Sequence, residues 1–144
     1  MDHFREEHDL FRATVRRFVK EEITPYVDEW EERQQIPREL FRQLGKLGFL
    51  GVEYPAEYGG GGADFWMTVV LAEELARCRA GGVAFSIIVH TDMSSPWLAR
   101  LGTHEQKARY LPDIISGEKV CALAITEPGA GSDMAGIATR AVRD

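Results

Sequence analysis

The sequence predicts a mainly all-α fold, a compact helical domain of about six helices followed by a short two-stranded β appendage at the C-terminus. Three observations predict it. Apolar residues recur at helical spacing through most of residues 1–117. Prolines and glycines stand where helices begin and stop. Only the stretch after Gly117 carries a short apolar run that empties into a glycine turn.

Phe4, His8, Phe11, Val15 and Phe18 repeat with charged residues between them, which predicts an amphipathic helix over residues 3–23 with an aromatic stripe facing the core. Thr24 and Pro25 restart the pattern as an N-cap and a first-turn proline. Asp28 and Glu29 lie near the positive helix end, so a second helix should run to about Arg33. Pro37 opens a third, with Leu40, Leu44 and Leu47 on one face and Gly48 at its end. Residues 52–63 are a loop whose four consecutive glycines, by composition, favour a flexible linker over a loop that grips a ligand. Asp64 then caps a strongly apolar helix over 65–78, with Met67, Leu71, Leu75 and Cys78 on its most buried face.

Residues 83–89 form a β-branched run that propensity alone would make a strand. A helix is the better expectation, because a lone strand among helices has no partner for its backbone groups. Ser95 and Pro96 begin a short helix ending near Gly102. Thr103 and Gln106 make a capping box for the helix through Ile115, which Gly117 breaks. Strands are expected over 119–126 and roughly 137–143, so a helical domain, 1–117, is followed by a short β part, 118–144.

The 144 residues fit one domain, small for an enzyme handling two large cofactors, and 44% hydrophobic with 28% charged residues is ordinary for a globular protein. A formal charge of −6 argues against general nucleic-acid binding. Cys78 and Cys121, both in apolar surroundings, offer neither a disulfide framework nor metal-ligand spacing and read as buried thiols. His3, His8, His90 and His104 assemble no metal or catalytic set and read as surface or packing residues. No basic-then-apolar leader and no membrane-length apolar run is present, which points to a soluble, reducing compartment: the bacterial cytoplasm, or the mitochondrial matrix if a transit peptide has been removed.

The chemistry is expected where the apolar run Val120-Cys121-Ala122-Leu123-Ala124-Ile125 meets Thr126-Glu127-Pro128 and Gly129-Ala130-Gly131-Ser132-Asp133. Glycines there let the backbone approach a ligand, and successive N–H groups form an anion-binding nest to which Ser132 adds a hydroxyl. Two familiar phosphate motifs fail: Met134 stands where the dinucleotide pattern needs its third glycine, and no lysine follows at P-loop spacing. On these residues alone a structural strand and turn is at least as good a reading as a ligand loop.

The string A-I-T-E-P-G-A-G-S-D closely resembles the first signature of the acyl-CoA dehydrogenase family. Tyr54-Pro55-Ala56-Glu57-Tyr58-Gly59-Gly60-Gly61-Gly62-Ala63-Asp64 is similar to the family's loop, and Leu101-Gly102-Thr103 through Tyr110-Leu111-Pro112 to its next segment. Together these span almost the whole chain in family order, although the family is far longer. The resemblance implies the N-terminal helical domain, with the start of the middle β domain, of an FAD-dependent enzyme that oxidises the Cα–Cβ bond of an acyl-CoA thioester to a trans-2-enoyl-CoA. It also implies a helix over 83–89.

By the same resemblance, Leu123, Ala124, Ile125 and Thr126 run along the flavin ring, with the amides of Ile125 and Thr126 and the Thr126 hydroxyl as donors to the charge that gathers near N1 and the C2 carbonyl. Gly131 and Ser132 lie by the pyrophosphate, and Ser132 also touches the phosphate side of the CoA ester. Phe85, Ile88 and Val89 wall the acyl cavity, the plain alternative being simple core. The catalytic base belongs to a C-terminal domain, so no residue here inherits it. Glu127, before a proline in a turn, reads as solvated or turn-stabilising. An electron-transfer flavoprotein as acceptor and a homotetrameric parent follow from the resemblance, with neither nucleic acid nor membrane as a partner. The alternatives are a related flavin-dependent oxidase or monooxygenase, or a non-enzymatic helical interaction module. The 144 residues alone should be inactive and hold FAD poorly, with strand edges after Gly117 that pair with another copy or stay disordered.

Overall fold

In the structure, a computed structural model, residues 3–143 are described. Helix α1, Glu6–Phe18, buries His8, Val15 and Phe18, and continues as a π-helical turn over Val19–Ile23. A 3₁₀ turn, Thr24–Tyr26, leads into α2, Val27–Glu32. Thr24 does not cap α2: its own φ and ψ of −53° and −39° are helical, and its hydroxyl donates back to the Val19 carbonyl at 2.9 Å. Helix α3, Arg38–Lys46, buries Leu40 and Leu44, but Leu47 is 49% exposed because the helix has closed before it, with Gly48 in the left-handed region at φ +76°.

The glycine loop corrects the linker expectation. Amides of Gly60, Gly61, Gly62 and Ala63 donate to the carbonyls of Pro55, Gly51, Tyr54 and Val52 at 2.8 to 3.1 Å, folding the loop onto itself. A Cβ on Gly60 would lie 2.0 Å from the Tyr54 carbonyl oxygen, so close backbone packing, not flexibility, requires the glycine. Asp64 then caps α4, Phe65–Leu75, accepting from the amides of Trp66 and Met67. Leu71, Leu75 and, in the following 3₁₀ turn, Cys78 are buried as expected, together with Val70 and Glu74, whereas Met67 is only half-buried.

The apolar run after Gly81 is helical: α5 spans Gly81–Ile88 and buries Val83, Ala84 and Ile87. It satisfies its backbone internally, which no strand could do at that place. A second π-helical stretch, Val89–Ser94, bends it into α6, Ser95–Leu101, and α7 spans His104–Ile115 behind the expected Thr103–Gln106 capping box. The main core joins α1, α3, α4 and α5 through Val15, Leu44, Phe49, Leu71, Leu75 and Ile87. A smaller cluster sets Tyr54 and Tyr58 of the loop against Leu111 and Ile115 of α7.

The two expected strands are not formed. Among the described residues no β-ladder joins 119–126 to 137–143, and the one isolated bridge pairs Glu127 with Ala130 through reciprocal bonds of 2.9 and 3.1 Å. Three of the amides a hairpin could use are taken by side chains. The Glu127 carboxylate takes the amides of Ala138 and Thr139 at 2.9 and 2.8 Å, and His90 takes the amide of Cys121. Residues 121–127 nevertheless keep a strand-like alternation, odd-numbered residues half-buried and even-numbered ones exposed.

Candidate functional site

The alternating segment runs past two clefts and contributes different residues to each. The first, about 690 Å³, lies between the 49–55 loop, α4 and α6. Leu123 and Ile125 line it together with Tyr54, Phe65, Met93 and Trp97. The second, about 580 Å³, is lined by Val120, Cys121 and Ala122 with Trp30, Phe41, Phe85 and Val89. Both fall within the ordinary size range of small-molecule sites, roughly 300–1,000 Å³.

The residues singled out from the sequence therefore divide. Phe85, 58% exposed, and Val89 share the second cleft with the start of the segment. Ile88 lines neither cleft and packs against the main core. Leu123 and Ile125 face the first cleft, while Ala124 and Thr126 are exposed on the opposite side, as period-two alternation requires. Gly131 and Ser132 lie exposed on the turn.

Hydrogen bonding along the segment is uneven. Among the described residues, the backbone N–H groups of Ala122, Leu123, Ala124, Ile125 and Thr126 have no partner within the protein. An extended run of free amides ending in a free hydroxyl is a donor array, suited to an acceptor-rich planar ligand. The turn beyond it makes no steric demand for glycine: a Cβ on Gly129 or Gly131 would meet no atom within 4 Å. Gly117, by contrast, sits at φ +79° with a would-be Cβ 2.2 Å from the Phe41 carbonyl oxygen. The fold itself thus explains Gly117 and leaves room for a ligand at Gly129 and Gly131. This donor set and open turn fit a flavin dinucleotide.

Glu127 behaves as the turn-stabilising residue its position suggested. Its bonds to Thr139 and Ala138 hold its carboxyl below the usual carboxylate range, the reverse of what a base waiting for a proton requires.

Two histidines carry more of the architecture than their sequence positions indicate. His8 is fully buried: its Nδ1 accepts the Arg5 amide at 2.9 Å and its Nε2 faces Asp64 at 3.0 Å, which braces the start of α1 against the cap of α4. His90 is also fully buried. Its Nδ1 accepts the Cys121 amide at 3.0 Å, and its Nε2 lies 3.2 Å from the Ile114 carbonyl oxygen. Burial lowers its pKa, so the ring is held neutral. The signal that could have found it is a polar ring directly after the apolar run of 83–89, on the same helical path, since a buried imidazole must have partners.

Tyr54 locks the same region, its hydroxyl donating to the Thr91 carbonyl at 2.8 Å and lying 2.6 Å from Ser95 Oγ. Desolvation pushes this phenol up to about 12, so it stays protonated. Cys121 is half-buried on the second cleft, and burial raises its thiol, which favours the protonated form.

Known proteins match this chain over nearly its whole length. The family described as "Acyl-CoA dehydrogenase, N-terminal domain" matches residues 5–118. Over 140 residues the chain is 43% identical to the long-chain specific acyl-CoA dehydrogenase of rat mitochondria, covering 97% of this chain and 32% of that protein. The crystal structure of an acyl-CoA dehydrogenase from Geobacillus kaustophilus superposes with a TM-score of 0.93 at 43% identity, covering 99% of this chain and 37% of that one. An acyl-CoA dehydrogenase from Bacillus anthracis, solved in complex with FAD, superposes at 0.87 with 35% identity, over 95% of this chain and 23% of that one. The chain thus spans about a third of the length of the curated relatives named here.

Proposed function

Since the chain belongs to the acyl-CoA dehydrogenase family, we propose that it forms the N-terminal helical domain, residues 1–117, and the opening of the middle β domain, residues 118–144, of an FAD-dependent acyl-CoA dehydrogenase. The proposed reaction is α,β-dehydrogenation of an acyl-CoA thioester to the trans-2-enoyl-CoA. The observation that carries it is the run of unpartnered amides from Ala122 to Thr126 passing between two ligand-sized clefts. The end of the family match at residue 118, next to the helix-breaking Gly117, supports the division into domains.

Bound FAD would supply a hydride acceptor for oxidation of the Cα–Cβ bond. The amides of Ile125 and Thr126 and the Thr126 hydroxyl donate to the edge of its ring where negative charge gathers. Fixed donors of this kind need no reorganisation during the reaction. Leu123 and Ala124 complete the strip along the ring, and Gly131 and Ser132 offer backbone and hydroxyl donors to the pyrophosphate, Ser132 also reaching the CoA side. Phe85 and Val89 wall the acyl cavity, with Ile88 supporting them from the core side. No side chain in this chain is proposed as the base.

Residues 119–124 and 137–143 take strand partners in the complete protein, leaving the amides of Ile125 and Thr126 to the ring, and we read that protein as a homotetramer passing electrons to an electron-transfer flavoprotein. No helix among the described residues is long and apolar enough to cross a membrane, in keeping with a bacterial cytoplasmic or mitochondrial matrix enzyme. The test is to purify the full-length polypeptide and add acyl-CoA anaerobically. Flavin absorbance that bleaches supports the reading, and a flavin-free protein, or a flavin that acyl-CoA leaves oxidised, contradicts it.

A further inference from the structure

We propose that His90 is a positioning residue that pins the register of the flavin-facing segment against the helical wall. This rests on the functional reading above. The bond from the Cys121 amide to His90 Nδ1, 3.0 Å, is the last backbone anchor before the open stretch that begins at Ala122. The next anchor is the reciprocal pair of Glu127 and Ala130. Between them lie five residues whose amides have no partner among the described residues, so the placement of Ile125 and Thr126 depends on where the two ends are tied.

The tie is specific. Accepting a backbone N–H at Nδ1 requires that nitrogen to carry no proton, which leaves the hydrogen on Nε2 to donate to the Ile114 carbonyl at 3.2 Å in the last turn of α7. Phe41 packs edge-on against the ring, centroids 5.6 Å apart, and prevents it from turning. Both nitrogens are used, and the ring links the π-helical stretch after α5, the end of α7 and the segment.

The consequence follows from the period of an extended chain. Residues 121, 123 and 125 face inward and 122, 124 and 126 outward, and a slip of one residue would exchange the two sets. Thr126 would turn inward, and Leu123 and Ile125 would leave the first cleft. The π-helical stretch that carries His90 also supplies Val89 to the second cleft and Met93 to the first. One imidazole therefore fixes the segment relative to both walls.

Two substitutions in the full-length protein separate this role from packing. In His90→Asn the amide oxygen stands at the Nδ1 position and can accept from Cys121, while the Ile114 carbonyl loses its donor. In His90→Gln the side-chain N–H₂ reaches the Nε2 position and can serve Ile114, while Cys121 loses its acceptor. The readouts are the dissociation constant for FAD and the shape of the bound flavin's visible spectrum. Asn should hold FAD within about threefold of the parent with its spectrum, and Gln should weaken it roughly tenfold or more and alter the spectrum, the scale of one lost backbone anchor. Equal FAD affinity in the parent and His90→Gln, or an equal loss in both variants, overturns the proposal. Should His90→Gln not fold, His90→Asn decides alone, a tenfold loss counting against. A parent protein that binds no FAD contradicts the functional reading instead.

Discussion

Arg16 presents Nε and a terminal guanidinium nitrogen to the two carboxylate oxygens of Glu74, each at 2.8 Å, across the contact between α1 and α4. Arg12 and Arg77 close on the same carboxylate at 3.1 and 2.9 Å, leaving the Glu74 side chain with no exposed surface. This is the forked geometry in which arginine binds a carboxylate best. Replacing Glu74 with Gln leaves three guanidinium groups around a neutral amide; those of Arg16 and Arg77 are half-exposed and can be hydrated, so the loss of these charge-assisted bonds costs roughly 1.5–3 kcal/mol. Urea unfolding should show a midpoint well below that of the parent; an unchanged midpoint would contradict the cluster's role.

The same cluster sets a pH dependence. Hydrogen bonding from Arg16, then Arg12, outweighs desolvation and lowers the Glu74 carboxyl from its usual 4.5 to about 2. Between those values the unfolded chain binds the proton and the folded one does not. The stabilisation is therefore complete above the unfolded value and is lost as pH falls toward about 2. Chemical denaturation across that window should give a steeper fall in stability for the parent than for Glu74→Gln. Parallel curves would sink the assignment.

Glycines divide into those the fold needs and those it does not. Gly117→Ala forces a Cβ onto the Phe41 carbonyl at positive φ and should destabilise by roughly 2 kcal/mol or more. Gly131→Ala meets open space and should change stability by less than about 0.5 kcal/mol. In the full-length protein, however, it should weaken FAD binding. Thermal melts and FAD titrations on the two variants check this; a Gly131→Ala protein that binds FAD like the parent would contradict a pyrophosphate role.

Glu127 is assigned to bracing, not to chemistry. Glu127→Gln loses half of the paired acceptor that holds Ala138 and Thr139, so hydrogen exchange at those two amides should quicken about tenfold. Turnover by the full-length enzyme should fall by less than the roughly 10²–10⁴-fold that removal of a general base produces. A loss of that size would contradict the bracing role and make Glu127 a base.

Most of the helical fold was legible because helices satisfy themselves locally. The Asp64 cap, the Thr103–Gln106 box and the breaks at Gly48 and Gly117 each follow from one or two residues. Even the β-branched run of 83–89 yields to the argument that a lone strand has no partner. What could not be read depends on distant partners. The strands expected over 119–126 and 137–143 form no ladder. Ala138 and Thr139 give their amides to the Glu127 carboxylate and Cys121 gives its own to His90, side chains whose reach no local pattern encodes, while the amides of 122–126 pair with nothing among the described residues. The four glycines look like a linker in composition and prove to be a packed loop, because their acceptors are spread from Gly51 to Ala56. At the site, the motif pointed to Leu123–Thr126 as a strip, but only the structure divides its two sides and assigns Phe85 and Val89 to a different cleft from Leu123 and Ile125.

The central claim is that the free amides at Ile125 and Thr126 are aimed at a flavin. Amide hydrogen exchange of the full-length protein, recorded with FAD bound and after its removal, tests this most directly. Protection at Ile125 and Thr126 that appears with FAD and disappears without it is the expected result. Amides equally protected in both states, or equally open in both, would contradict it.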